Sequence, residues 1–134
     1  MQRTLLIIKP DVVKRHLIGK VLSLIEERFC IVGIRMKKLS KDEAREFYRV
    51  HKGKEFYDRL VEFMSSGPSV GVLLEGEDII EKVREFIGST DPKKAKEGTI
   101  RNLFGTDITQ NAVHASDSPE SANYEIPFYF PDLE

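Results

Sequence analysis

Near the C-terminal end, Asn111-Ala112-Val113-His114-Ala115-Ser116-Asp117-Ser118 sets one histidine at the join between an apolar run and a cluster of small polar residues. A neutral imidazole nitrogen is a nucleophile near neutral pH, and Asn111, Ser116, Asp117 and Ser118 can hydrogen-bond without crowding it. Phosphoryl transfer would use such a group, provided that cations hold the phosphates. Candidate cations stand far apart in the chain: Lys9 at the end of an apolar run, Arg84, and Arg101 in Gly98-Thr99-Ile100-Arg101. Singly, each would pass for a solvated surface charge. His16 and His51 lie in basic settings and read as solvated surface residues, and no Cys/His spacing suggests a zinc site.

The elements that must position these residues follow from periodicity. Thr4 to Ile8 is a continuous strand-forming run ended by Lys9-Pro10-Asp11, which predicts a strand buried on both faces, with Asp11 free to cap the next helix. Apolar residues from Val13 to Phe29 recur at helical steps, most firmly from about residue 18 to 28. Cys30 to Leu39 alternates, with Val32, Ile34 and Met36 on one side and Gly33, Arg35 and Lys37 on a wetter one. Ser40 and Glu43 have capping-box spacing, so a helix carrying Ala44, Phe47 and Tyr48 should start there. A second helix runs from Glu55 to Met64. Val70 to Glu75 is the third strand, followed by a helix with Ile79, Ile80, Val83, Phe86 and Ile87 inward and Gly88 at its end. Residues 89 to 110 form a long loop with little apolar periodicity, of the kind that in a compact domain is either functional or disordered. Ala112-Val113-His114 is the candidate fourth strand. Ser118-Pro119-Glu120 starts a last helix, which Pro127 should stop by about Ile126, leaving a tail from Phe128 to Glu134.

That order, without the helix pair after the second strand and the final helix, is βαββαβ: an α+β, ferredoxin-like fold with a four-stranded antiparallel sheet. A chain of 134 residues with 40% apolar content has the size of one domain, residues 1–134. Its 21 basic and 22 acidic residues nearly cancel, so a net charge of −1 argues against nucleic acid or a membrane surface as partner. Cys30, the only cysteine, sits in an apolar run and reads as a buried thiol. The N-terminal apolar run is too short for a signal peptide, and no run approaches the length of a membrane span, which makes a soluble, cytoplasmic protein the expectation.

The stretch around His114 resembles the active-site signature of the nucleoside diphosphate kinases, Asn-x-x-His-(Gly/Ala)-Ser-Asp-Ser. Lys9-Pro10-Asp11, Ser66-Gly67-Pro68, Gly98-Thr99-Ile100-Arg101 and Glu120-Ser121-Ala122 with Glu125 resemble the family's other motifs, in order, over nearly the full length. The resemblance implies transfer of the terminal phosphate of a nucleoside triphosphate to a nucleoside diphosphate, by a ping-pong mechanism with broad base specificity. It implies His114 as the phosphorylated nucleophile through Nδ1, Glu125 and Ser116 orienting the ring, and Tyr48 placing a hydroxyl beside it. Lys9, Arg84, Thr90 and Arg101 would bind phosphates, with Lys9 and Asn111 also reaching the sugar hydroxyl. Phe56 would stack on the base, with Leu60 and Ile108 closing an apolar slot. Mg²⁺ would arrive on the nucleotide phosphates, with water bridging it to Asp117 at most, and a homo-oligomer is the family expectation. The chain departs from the commonest pattern at Val12, at Asn102-Leu103 in place of Gly-Asp, and at Ala115 in place of glycine. A nucleotide-binding module without catalysis would keep Phe56, Arg84 and Arg101 but has no use for His114 or Glu125.

Overall fold

Leu5, Leu6, Ile7 and Ile8 are fully buried, as an unbroken apolar run requires of a strand covered on both faces. They belong to β1 (Gln2–Ile8), an inner strand of the sheet in the computed structural model, which describes residues 1–133. Glu134, the last residue of the expected tail, lies outside them. The chain continues through α1 (Pro10–Lys14), α2 (Ile18–Glu26), β2 (Cys30–Lys37), α3 (Lys41–Phe47), a 3₁₀ turn at Arg49–His51, α4 (Tyr57–Met64), β3 (Ser69–Gly76), α5 (Ile79–Ile87), α6 (Ile100–Phe104), β4 (Val113–Ala115) and α7 (Pro119–Tyr129). The strands form one antiparallel sheet in the order β2-β3-β1-β4. This is the expected ferredoxin-like topology, with β2 and β4 at the edges.

Each face of the sheet carries its own core. On one, Leu6, Ile8, Val70, Val72 and Leu74 pack with Val21 and Ile25 of α2 and with Ile79, Val83 and Ile87 of α5. On the other, Leu5, Ile7 and Leu73 pack with Ala44 and Phe47 of α3, Val61 and Met64 of α4, and Tyr129 and Phe130 at the end of α7. The inserted α3–α4 pair and α7 thus give the sheet its second cover. Ser40 makes the predicted capping box, accepting from the Glu43 N–H while the Glu43 carboxylate accepts from the Ser40 N–H.

Several local expectations are corrected. The helix expected from Val13 onward is two helices, because His16 takes a left-handed conformation (φ 60°) between them. Asp11 caps nothing; its carboxylate accepts the N–H of Ala112, far along the chain. The alternation in β2 is real, but its sides are reversed in use. Val32, Ile34 and Met36 are 44%, 53% and 56% exposed, while the supposedly wetter side lies under the C-terminal segment, with Arg35 donating to the Tyr129 carbonyl and Lys37 to that of Phe128. β2 is an edge strand with a bulge between Ile31 and Gly33, and it leaves these apolar side chains exposed. Cys30, at its start, is exposed rather than buried. The long loop contains α6, nucleated by the fully buried Ile100 and capped by the Thr99 hydroxyl, a unit too short to show periodicity. The fourth strand is shifted by one residue, to Val113–Ala115, because Ala112 has positive φ. Pro127 does not end α7, which runs on to Tyr129. The lost backbone hydrogen bond is offset by burying Tyr129 and Phe130, and the Tyr129 hydroxyl lies 2.6 Å from that of Ser69.

The Tyr129 side chain lies directly on Gly71 of β3, where a Cβ would meet two ring carbons at 2.6 and 2.7 Å and the Tyr129 Cβ at 2.8 Å. Gly71→Ala should therefore destabilise the chain by about 1–3 kcal/mol through overpacking. In urea denaturation the midpoint should fall with the slope unchanged; an unaltered midpoint would mean that the ring does not rest there.

Candidate active site

β4 has only three residues, and what surrounds it fixes it. It pairs with β1, His114 opposite Ile7, and the Ser116 N–H donates to the Leu5 carbonyl at 3.1 Å. Strand alternation sends Val113 and Ala115 into the α2–α5 core and His114 alone toward α3 and α7. There the imidazole meets Phe47 and Tyr48 edge-on, at centroid distances of 5.2 and 5.7 Å.

α7 supplies the ring's hydrogen-bond partner. Ser118 caps it, accepting from the Ser121 N–H, and Pro119 begins it, so Glu125 falls about two turns in, facing back to β4. Its Oε1 lies 2.8 Å from His114 Nε2 and also accepts from the Ser116 hydroxyl at 2.8 Å. A carboxylate carries no hydrogen and can only accept, so a neutral ring bonded to it carries its hydrogen on Nε2. Nδ1 keeps its lone pair and makes no hydrogen bond among the described residues. The side chain is 20% exposed, so the ring is not sealed from solvent.

Two arginines hold the carbonyls of the residues on either side of this histidine. Arg101, turned inward by α6, donates to the Val113 carbonyl at 2.9 Å and to that of Gly88 at 3.0 Å. Arg84, on the exposed side of α5, donates to the Ala115 carbonyl at 3.3 Å. Burial, then the nearby Arg84, pull the Arg101 guanidinium down to about 10. The Nε of Arg101 and the Tyr48 hydroxyl are buried without a protein partner among the described residues. Burial also holds the Tyr48 phenol well above its usual range, so the hydroxyl stays protonated. These two polar atoms are what a bound anion would satisfy.

Lys9 follows β1 and is buried, 4% exposed. Its amine donates to Asn111 Oδ1 at 2.7 Å and to the Thr109 carbonyl at 3.3 Å. Burial, then Arg101, push it down to about 7, against the opposing pull of Asp11 and Asp107. The Asn111 amide ties the long loop to this point, donating to the Thr90 carbonyl at 2.9 Å and the Ile108 carbonyl at 3.1 Å. Asn102, one of the departures from the family pattern, closes the same loop by accepting the Gly98 N–H and donating to the Ala95 carbonyl. Val12, another, is simply core.

The residues proposed for the base stand at the rim. Phe56 and Ile108 are large exposed apolar side chains, and Leu60 packs half-buried against the core that includes Tyr48. Their separation from His114 is bridged by a residue that sequence reasoning misreads. His51 is no solvated surface histidine: it stacks on Tyr48 at 6.4 Å, touches Phe56 at 5.1 Å, and its Nδ1 is buried without a partner among the described residues. Burial, then Lys54, hold its pKa below the ordinary histidine value. Its place three residues after Tyr48 is the only sequence signal that would have found it. Asp117 is exposed, accepts from the Ser121 hydroxyl, and is held low by that bond and by Arg84.

A ferredoxin-like domain that gathers buried cations around one imidazole with an unbonded nitrogen belongs to a class built to handle phosphate. Comparison with known proteins narrows the class. The family described as "Nucleoside diphosphate kinase" matches residues 2–134. The nucleoside diphosphate kinase of Persephonella marina is 52% identical over 135 residues, covering 100% of this chain and 96% of its own. That of Aquifex aeolicus is 51% identical over 138 residues, covering 100% and 97%. The Aquifex aeolicus enzyme's crystal structure superposes with a TM-score of 0.90 over 95% of this chain and 93% of that one. A Halobacterium salinarum nucleoside diphosphate kinase in complex with CDP, 36% identical, gives 0.93 over 98% and 88%. The chain belongs to the nucleoside diphosphate kinase family, enzymes that transfer phosphate between nucleotides.

The depressed Lys9 pKa predicts a pH effect. The unfolded chain keeps that proton up to the 10.5 of a free lysine and the folded chain only to about 7, so between these values the unfolded state binds more protons and stability rises with pH. Without nucleotide, the Tm of the wild type relative to Lys9→Met should rise across this window. A constant difference would mean that the amine is not desolvated.

Proposed function

We propose that His114 carries the phosphate in two half-reactions. In the first, Nδ1 attacks the terminal phosphorus of a nucleoside triphosphate, a P–N bond forms, and the P–O bond to the departing diphosphate breaks, the electron pair leaving on the diphosphate's oxygen. In the second, the terminal oxygen of another diphosphate attacks the same phosphorus and the P–N bond breaks. One site serves both halves, which gives ping-pong kinetics. The observation that carries this reading is the Glu125 hydrogen bond to Nε2, which leaves Nδ1 as the nucleophile.

Glu125 and Ser116 fix the ring, and the protonated Tyr48 hydroxyl stands beside it as a donor to the transferred group. Lys9, Arg84, Thr90 and Arg101 bind the phosphates, and Lys9 with Asn111 reaches the sugar hydroxyl. A bound phosphate raises the Lys9 pKa again, since an adjacent anion favours the ammonium form. Phe56 stacks on the base and Leu60 and Ile108 flank it. Stacking accepts any base, hence broad base specificity. The CDP bound by the halophilic relative supports a nucleoside diphosphate as ligand.

The donor set suits Mg²⁺ held by phosphate oxygens and water: among the described residues no three His, Cys, Asp or Glu side chains gather as a metal cage, and Asp117 offers one exposed carboxylate beside Arg84. Bound there, the metal neutralises charge on the phosphates.

The chain acts as a single domain spanning residues 1–134 and works in the cytoplasm; no helix among the described residues is long and apolar enough to cross a membrane. The exposed apolar side chains of β2, at an open sheet edge, support assembly with further copies of the chain.

Two experiments test these readings. With ATP labelled in its terminal phosphate, the protein should hold acid-labile, base-stable phosphate on His114, and His114→Gln should lower transfer by at least about 10⁴-fold. Surviving transfer, or label on another residue, excludes the mechanism. Ile34→Glu should lower the mass measured in solution if β2 is the contact; an unchanged oligomer places the contact elsewhere.

A further inference from the structure

Ala112 is fully buried at φ 75°, a left-handed conformation that costs a residue with a Cβ. The other non-glycine residues at positive φ, His16 and Asp78, lie in exposed turns. Strain of this kind persists only where the surroundings over-determine it. Here the surroundings are Lys9-Pro10-Asp11. The Lys9 N–H donates to the Ala112 carbonyl at 2.9 Å, and the Ala112 N–H donates to Asp11 Oδ2 at 3.1 Å. The peptide units on both sides of Ala112 are thereby clamped. Asn111, whose carboxamide accepts from Lys9, precedes the clamp, and His114 lies two residues beyond it.

We propose that Asp11 is a positioning residue for phosphoryl transfer, its carboxylate clamping the left-handed Ala112 peptide from which Asn111 and His114 are presented. The inference rests on the His114 reaction proposed above. Asp11 is buried, 6% exposed, and its carboxylate does not cap its own helix. Asp11 is the second residue of α1, after Lys9 at the N-cap and Pro10, where an acid suits the helix N-terminus without a hydrogen bond. Its carboxylate nevertheless makes a hydrogen bond, to the residue that leads into β4, the strand beside β1. Its second oxygen, Oδ1, has no partner among the described residues, so its charge is left to act on the Lys9 amine. That amine is faced by Arg101 of α6, Asp107 of the loop before β4, and Asp11 of α1, while Asp11 is faced by Lys9 and Arg15. Asp11 thus does two separable things: it accepts a strained N–H, and it favours the protonated form of the phosphate-binding lysine.

Substitutions separate the two. Asp11→Ala removes the acceptor and the charge, and the turnover number should fall about 10- to 100-fold, as expected for a small displacement of the nucleophile. Adding Ala112→Gly should restore most of that turnover, because glycine takes this φ without a clamp. Asp11→Asn keeps an acceptor oxygen and drops the charge. Its turnover at low pH should stay within about threefold of the wild type, while the alkaline limb of kcat/KM moves to lower pH, since kcat/KM reports the free enzyme and Lys9 would lose its proton sooner. A merely structural role would lower Tm and leave the pH profile and the glycine rescue without effect. Asp11→Ala at the wild-type rate, or no rescue by Ala112→Gly, overturns the inference and leaves the phosphohistidine reading standing; a wild type that forms no phosphohistidine removes both. If Asp11→Ala does not fold on its own, the Asp11→Ala/Ala112→Gly double variant decides: turnover near that of Ala112→Gly alone is expected, and a turnover still about 10-fold or more below it overturns the proposal.

Discussion

The hydrogen bond between the Glu125 carboxylate and His114 Nε2 is the contact on which the site depends. It selects one tautomer, and with it the nitrogen that acts as nucleophile on the proposed reaction. It needs a histidine on the inner side of a three-residue edge strand and a glutamate two turns into the next helix. The first condition comes from pairing with Ile7 and the alternation that buries Val113 and Ala115 on the opposite side. The second comes from a helix start fixed by Ser118 and Pro119. A strand this short has little hold of its own. Arg84 and Arg101 occupy the carbonyls on either side of His114, so the same guanidiniums that make the site cationic also hold its backbone.

The second constraint is electrostatic. Lys9 and Arg101 are buried beside one another, burial pulls both below their ordinary values, and Asp11 and Asp107 offset only part of this at Lys9. Burying cations without full pairing is unfavourable by several kcal/mol in general, about the scale on which a bound phosphate would return stability. On the proposed reaction the folded chain is held short of its stability optimum where it binds nucleotide. The orphaned Tyr48 hydroxyl and Arg101 Nε are the hydrogen-bonding side of the same condition.

Much of this is legible in the sequence, for identifiable reasons. β1 and β3 are continuous apolar runs, α5 has a full apolar stripe ended by glycine, and the Ser40 and Ser118 caps use side chains whose preference is local. What fails depends on contacts that local pattern does not encode. Alternation in β2 separates two sides but cannot say which one the C-terminal segment covers, and Cys30 is misplaced for the same reason. Pro127 should break a helix, yet the distant pocket for Tyr129 outweighs one hydrogen bond. His51 looks solvated because its neighbours in sequence are basic, whereas its neighbours in space are Tyr48 and Phe56. Asp11 reads as a cap because aspartate is a preferred capping residue where a strand gives way to a helix; its partner lies 101 residues away.

Everything turns on which imidazole nitrogen takes the phosphate. The phosphorylated protein, labelled with nitrogen-15 and held at alkaline pH where the P–N bond survives, can be read by phosphorus–nitrogen coupling in NMR. Phosphorus coupled to Nδ1 of His114, with Nε2 still bearing a hydrogen toward Glu125, is the predicted result. Phosphorus on Nε2 would contradict it, because that nitrogen could then no longer donate to the carboxylate that the whole site is arranged to present.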